Sequence, residues 1–256
     1  MVAAGAAGAA ALLVDDGAAD HEVASTDSST SSAPPESSTT EAPTTTVAPT
    51  TTTTAPTDPA DPLADPAATI RPGDEGPAVL ALQQRLVQLG YWMPEPDGKY
   101  GSGTSHAVTA FQKVQALDRD GVAGAATRAA IASATRPTPA DSSLPGRLLE
   151  VDLARQVTFV VLDGGVEWVL DISSGTASTP TNPGNFTIER QIDGLRISDL
   201  GRLWRPKYFD GGIAFHGAPS VPPYPASHGC VRLPNASIDW MWSSGVAPVG
   251  TPVHVY

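Results

Sequence analysis

Leu148–Ile172 reads LLEVDLARQVTFVVLDGGVEWVLDI, and the architecture is decided there. Its apolar residues form short runs rich in Val, Leu and Phe with the two-residue period of strands, over Leu148–Leu153, Gln156–Leu162 and Val166–Ile172. Between the last two runs, Asp163-Gly164-Gly165 supplies residues that tolerate the positive φ of a tight hairpin turn. Upstream the period is different. Val79, Leu80, Leu82, Leu86, Val87 and Leu89 recur at helical spacing, and Gly90 stands where a helix stops. The same spacing returns over Thr104–Val114 and Thr127–Ile131. The expected fold is α+β and multidomain: a small three-helix module, a mainly β domain with short strands and long loops, and an N-terminal stalk.

Composition sets the outer boundaries. Residues 2–14, VAAGAAGAAALLV, are small and apolar but shorter than the ~20 residues of a membrane span, and no basic residue precedes them. Residues 1–14 are therefore expected to be a truncated signal or anchor, with an Ala-rich disordered end as the plain alternative. Asp15–Thr69 is made of Ser, Thr, Pro, Ala and Asp and cannot bury enough surface to offset its ordering entropy, so it reads as a disordered stalk. As a flexible coil its ~55 residues would average ~40 Å end to end. A second, shorter Pro/Ser linker covers residues 135–146. The module spans 70–134 and the β domain 147–256.

Charge excludes one class of partner. The chain carries 27 acidic residues against 15 Lys and Arg, a net charge of −12, and residues 1–69 hold ten of the acids and none of the bases. The rest is near neutral and shows no basic face, so nucleic acid is not an expected partner. One cysteine in 256 residues, Cys230, excludes an internal disulfide framework and a Cys-only zinc cluster.

Within the module, Asp97–Thr104 (DGKYGSGT) is echoed 23 residues later by Asp120–Thr127 (DGVAGAAT). Each Asp-Gly pair marks a turn with positive φ, and each closing Thr is expected to cap the helix that follows. The module also resembles the peptidoglycan-binding domain of bacterial cell-wall enzymes. The resemblance rests on Arg71–Val79, Leu82–Leu86 with Leu89-Gly90-Tyr91, Asp97-Gly98 through Thr104, and Ala107–Gln112. It implies docking on wall glycan or stem peptide. Tyr91 and Trp92 have two readings, stacking on sugar rings or packing in the core. As a tether the module would raise local substrate concentration, an effect that needs no contact between the domains, and its deletion would weaken wall binding while sparing activity on soluble fragments.

The chemistry concentrates in Phe215-His216-Gly217 and Ser227-His228-Gly229-Cys230-Val231-Arg232-Leu233. In one reading Cys230 is a nucleophile whose proton passes to a histidine that also holds the resulting charge pair. His216, ending the strand-like Ile213–Phe215, sits well for that base. Gly229 lets the backbone approach closely, so that N–H groups of His228, Gly229 and Cys230 face a developing oxyanion. In a second reading His216, His228 and Cys230 bind zinc, against which stands the missing fourth ligand. In a third, Cys230 is a small buried hydrophobe and the histidines are satisfied core groups.

This segment resembles the signature of the L,D-transpeptidase catalytic domain, also called the YkuD domain. Further matches are Glu150–Leu153 with Gln156, Ser174-Gly175-Thr176, Thr179-Pro180-Thr181, Pro183–Ile188 and Pro248–Val253. Thr181-Asn182-Pro183-Gly184 departs from the commoner form of that turn, which bears on loop shape. The resemblance implies an exported peptidoglycan L,D-transpeptidase in which Cys230 attacks a tetrapeptide stem, releases D-Ala and passes the acyl group to a diaminopimelate amine as a 3→3 cross-link. It implies His216 as proton carrier, its ring oriented by a backbone carbonyl such as that of Gly217, with His228 framing the site and Gly229 counted with Cys230, His216 and His228 in the catalytic set. Arg232, Ser227, Gly217 and Tyr208 are expected to touch substrate; the plain alternatives are an ion pair for Arg232 and a turn role for Ser227. Arg202, Arg205 and Lys207 around Trp204 are either an entrance lid or a solvated loop. No cofactor or metal is implied, and carbapenems are the expected inhibitors. The rival functions are an L,D-carboxypeptidase and a catalytically dead wall-binding protein.

Overall fold

The computed structural model describes residues 68–256 except 142, 144 and 200. The apolar N-terminus and the stalk through residue 67 lie outside the described residues. Among the described residues no helix is long and apolar enough to cross a membrane.

Three helices open the described chain: α1 (Pro77–Gln88), α2 (Ser102–Val114) and α3 (Ala125–Ser133). Helix α1 ends where the sequence places its stop, with Gly90 at φ 88°. The helix starts differ from expectation. Gly101 and Gly124 occupy the N-cap positions, and neither Thr104 nor Thr127 makes a capping bond. Both threonines are buried in the first turn, where each receives a hydrogen bond from a buried glutamine, Thr104 from Gln83 and Thr127 from Gln112. Gln83 also bonds Asp97 and the N–H of Gly98, and Gln112 bonds Asp120 and the N–H of Gly121. The internal echo is thus a repeated device in which one buried amide satisfies an Asp-Gly loop and the helix after it.

The β domain contains β1 (Arg147–Asp152), β2 (Val157–Leu162), β3 (Gly165–Asp171), β4 (Gly184–Thr187), β5 (Arg190–Gln191), β6 (Leu195–Ser198), β7 (Gly201–Asp210), β8 (Ile213–Ala218), β9 (Val231–Pro234) and β10 (Pro252–Val255). Helix α4 (Asn235–Ser243) follows β9 directly. One sheet has the order β3-β2-β1-β10-β4; the other runs β5-β7-β8-β9, with β6 paired on β7. The β2–β3 turn holds Asp163 at φ 49° and Gly164 at φ 77°, the two positive values that a two-residue hairpin turn requires. Helix α4 was not foreseen. Its apolar residues Ile238, Trp240, Met241 and Trp242 stand almost side by side and give no clear helical period.

The first sheet is buried on both faces. Leu149, Val151, Val160 and Leu170 point into a core shared with Phe209, Phe215, Val231 and Leu233 of the second sheet and with Ile238 and Met241 of α4. Leu148, Val157, Phe159, Val161 and Val169 alternate with them and join Leu82, Leu86, Tyr91, Val108 and Phe111 of the helical module in a second core. Backbone pairing extends the union: Trp92 N donates to Val169 O at 3.0 Å and Val169 N to Gly90 O at 2.7 Å, so residues 90–92 lie along the edge of β3. Arg136 spans the junction, donating to Gln88 O on one side and to Val166 O and Glu167 O on the other. A tether needs no contact with the domain it serves; this module has an extensive one. Tyr91 is accordingly a core residue, fully buried in edge contact with Phe111.

Candidate active site

Strands β8 and β9 run parallel, with Phe215 opposite Val231, His216 opposite Arg232 and Gly217 opposite Leu233. Side chains alternate along a strand and register partners share a face. Since Phe215, Val231 and Leu233 face the core between the sheets, His216, Arg232 and Cys230, two residues before Arg232, fall on the other face. All three line one cavity of about 970 Å³, together with Ser227, His228, Gly217 and Tyr208.

His216 is 5% exposed, and its Nδ1 lies 2.9 Å from the carbonyl of Gly217. A carbonyl only accepts, so Nδ1 carries the proton and Nε2 is the basic nitrogen of the neutral ring. Burial lowers the pKa of this histidine; the Gly217 carbonyl works against that and the nearby Arg232 charge works with it. Gly217 has a second duty. A Cβ there would come within 2.6 Å of Ile238 Cγ2 and 2.7 Å of Asn235 Oδ1, so only glycine fits between β8 and α4.

The Cys230 thiol is half-buried, and burial pushes its pKa up, more than the Ala214 backbone and Arg232 pull it down. Each partner therefore favours its uncharged form. Both directions run against the standing charge pair that the sequence suggests, and the thiol lies 3.9 Å from the carbonyl of Gly212.

A frame of short bonds holds the cysteine loop. Ser227 Oγ donates to the carbonyl of Cys230 and accepts from Gly229 N at 3.1 Å, which removes Gly229 from the expected set of oxyanion donors. Gly229 itself sits at φ 112°, a conformation that strains other residues. Thr181, buried, donates to Gly229 O at 2.7 Å and accepts from Gly175 N at 3.0 Å. Thr176 N and Thr179 Oγ1 both donate to Ser227 O. Ser227 is thus a loop brace, and His228 is exposed at the cavity wall.

The expected basic cluster separates. Arg202 lines the cavity, whereas Arg205 pairs with Asp193 at 2.7 Å and Asp239 at 2.9 Å. Lys207 is buried, donates to Gln191 and Ala247 O, and has its pKa lowered to about 8 by burial. Two cavity residues had no sequence signal beyond their charge: Arg196, on the β6–β7 hairpin, and Arg190, whose guanidinium lies 3.8 Å over the ring of Tyr208. Arg190, Arg196, Arg202 and Arg232 face a single lining carboxylate, Asp199, and none of the four is ion-paired among the described residues. In a chain of net charge −12 this cavity is a local cationic basin. Among the described residues no three His, Cys, Asp or Glu side chains gather closely enough to hold a metal ion.

Comparison with known proteins agrees with this geometry. The family described as the L,D-transpeptidase catalytic domain matches residues 146–255, and the putative peptidoglycan binding domain matches residues 75–131. The crystal structure of an L,D-transpeptidase (residues 123–326) from Xylanimonas cellulosilytica is similar at 46% identity and a TM-score of 0.69, over 73% of this chain and 96% of that one. Among curated proteins, a probable N-acetylmuramoyl-L-alanine amidase from Bacillus licheniformis is 39% identical over 67 residues, 25% of this chain and 19% of the relative. A spore cortex-lytic enzyme from Bacillus cereus is 39% identical over 67 residues, 26% of each. The chain thus spans about a fifth to a quarter of the length of these curated relatives.

Proposed function

Because the chain belongs to the L,D-transpeptidase family, we propose that it is an exported cell-wall enzyme that forms 3→3 cross-links between peptidoglycan stems by acyl transfer through Cys230. The observation that carries this reading is the common face of β8 and β9, on which Cys230 shares a cavity with a histidine whose Nδ1 is tied to Gly217 and whose Nε2 is left basic.

Cys230 Sγ attacks the carbonyl carbon joining diaminopimelate to the terminal D-Ala of a tetrapeptide stem. As the S–C bond forms, the thiol proton moves to His216 Nε2, so charge develops during attack and not before it. The oxyanion meets the backbone N–H groups of His228 and Cys230, the pair left once Gly229 N–H is committed to Ser227. Collapse breaks the C–N bond, the imidazolium returns its proton to the leaving nitrogen, and D-Ala departs, leaving a thioester. The side-chain amine of a second diaminopimelate then attacks the thioester, gives its proton to His216, and expels the Cys230 sulfur, which recovers that proton. The stem's carboxylates are held by the arginine-lined walls, and the helical module keeps the enzyme on the sacculus.

Purified protein incubated with disaccharide-tetrapeptide tests the reading by mass spectrometry. It expects 3→3 dimers and free D-Ala, both lost in Cys230→Ala and in His216→Ala. Tripeptide without dimer identifies a carboxypeptidase. Absence of both products, together with absence of a carbapenem adduct on Cys230, identifies a dead site.

A further inference from the structure

A second cavity, of about 210 Å³, lies where the helical module meets the β domain. It adjoins the catalytic cavity, since Ala218, Pro219 and Asn235 line both. Its module wall carries Trp92, Ser102 and His106, and Asp171 lies at the junction. Asp171 is fully engaged: Oδ1 takes Lys113 and Oδ2 lies 2.7 Å from His106 Nδ1. With its carboxylate neutralised, the cleft offers an occupant a half-buried indole, an imidazole whose Nδ1 is already used, a hydroxyl and an amide, and no unpaired charge. The neighbouring cavity is lined by four arginines. The two chambers therefore sort chemistry, neutral and aromatic-walled on one side, cationic on the other.

We infer that the inter-module cleft is a saccharide subsite that seats the neutral amino-sugar portion of the substrate while the anionic stem occupies the catalytic cavity. This deepens the proposed function and rests on it. A sugar ring stacks an apolar face on an indole and satisfies its hydroxyls with uncharged groups, which is what Trp92, Ser102, His106 and Asn235 present. One ligand carrying a neutral ring joined to a carboxylate-bearing peptide matches both chambers at once. The consequence is that the wall-binding module forms part of the substrate site.

Ala236, exposed on the first turn of α4, lines the cleft and is absent from the catalytic cavity lining. Ala236→Trp fills the cleft, and Ser102→Tyr, also at an exposed position, fills it from the module side. For the unmodified enzyme, KM for disaccharide-tetrapeptide is expected to lie about ten-fold below that for the sugar-free tetrapeptide. Each variant should erase that difference while leaving kcat and KM for the sugar-free peptide within about two-fold. In parallel, the peptide-free disaccharide is titrated into indole-labelled protein and should shift the Trp92 N–H resonance. An unchanged KM difference in both variants, or a Trp92 signal unmoved at millimolar disaccharide, overturns the subsite. If neither substrate is turned over, the proposed function fails, and the titration still decides the cleft.

Discussion

Lys113, at the end of α2, closes on Asp171 at the end of β3, so that a cation of the helical module is neutralised inside the β domain. The two side chains are 0% and 2% exposed, and Lys113 also donates to the carbonyls of Gln156 and Ile172. Burial lowers the Lys113 pKa and the Asp171 charge opposes it. Removing one member strands the other. Asp171→Ala is expected to cost ~3–5 kcal/mol in urea unfolding, while Lys113→Met combined with Asp171→Leu recovers most of the loss. A loss below 1 kcal/mol for the single change would show that the pair is solvated in solution.

Truncation gives a second expectation. Deleting residues 70–134 uncovers Leu148, Val157, Phe159, Val161 and Val169 on one face of the first sheet and leaves the β3 edge unpaired. The remaining domain should aggregate and lose activity even on soluble fragments. A monomeric, active fragment by gel filtration and assay would restore the picture of a dispensable tether.

Thiol titration provides the third. With its pKa raised by burial, Cys230 should react with iodoacetamide along a pH profile whose midpoint lies above that of an ordinary cysteine. His216 has a lowered folded pKa, so below the ordinary value near 6.5 the unfolded chain binds more protons. Stability linked to His216 is therefore complete above that pH and declines as pH falls toward the folded value. In His216→Gln this acid-side decline should shrink. A Cys230 midpoint below pH 8 would mean a preformed thiolate.

Thr181 allows the cysteine loop to be perturbed without touching the reacting atoms. Thr181→Val leaves the Gly229 carbonyl and the Gly175 N–H without their partner, at a cost of ~1–3 kcal/mol. Carbapenem acylation, followed by stopped-flow absorbance, should slow about ten-fold or more as the loop loosens. Thr181→Ser, which keeps the hydroxyl, should stay near the original rate.

Salt should reveal the cationic basin. Arg190 and Arg202 are exposed and unpaired with carboxylates, so converting both to Gln should lower kcat/KM for an anionic stem several-fold and flatten its dependence on ionic strength. An unchanged salt slope would assign these side chains a purely local role.

The parts most legible in the sequence were those whose cause is local. Helical period and the Gly90 stop located α1, the Asp163-Gly164 turn marked the β2–β3 hairpin, and the spacing of His216, Ser227 and Cys230 led to one cavity. Long-range causes were harder to see. Val157–Val161, VTFVV, is apolar at every position but the buried Thr158 because both of its faces are covered, and that near-continuity is the sign that something packs on the outer face of the sheet. Thr104 and Thr127 look like caps from their positions alone; their partners are glutamines 21 and 15 residues away. The pKa directions of Cys230 and His216 follow from burial, which residue types at a given spacing do not report.

The alignment of Gly90–Trp92 along β3 also limits how this protein can be reshuffled. Helical wall-binding segments are often regarded as cassettes, interchangeable among hydrolases and transferases. Here a graft from another wall enzyme would need to supply a lysine for Asp171, a carbonyl for Arg136 where that of Gln88 now stands and an apolar underside cut to fit Phe159, or the recipient sheet would be left bare.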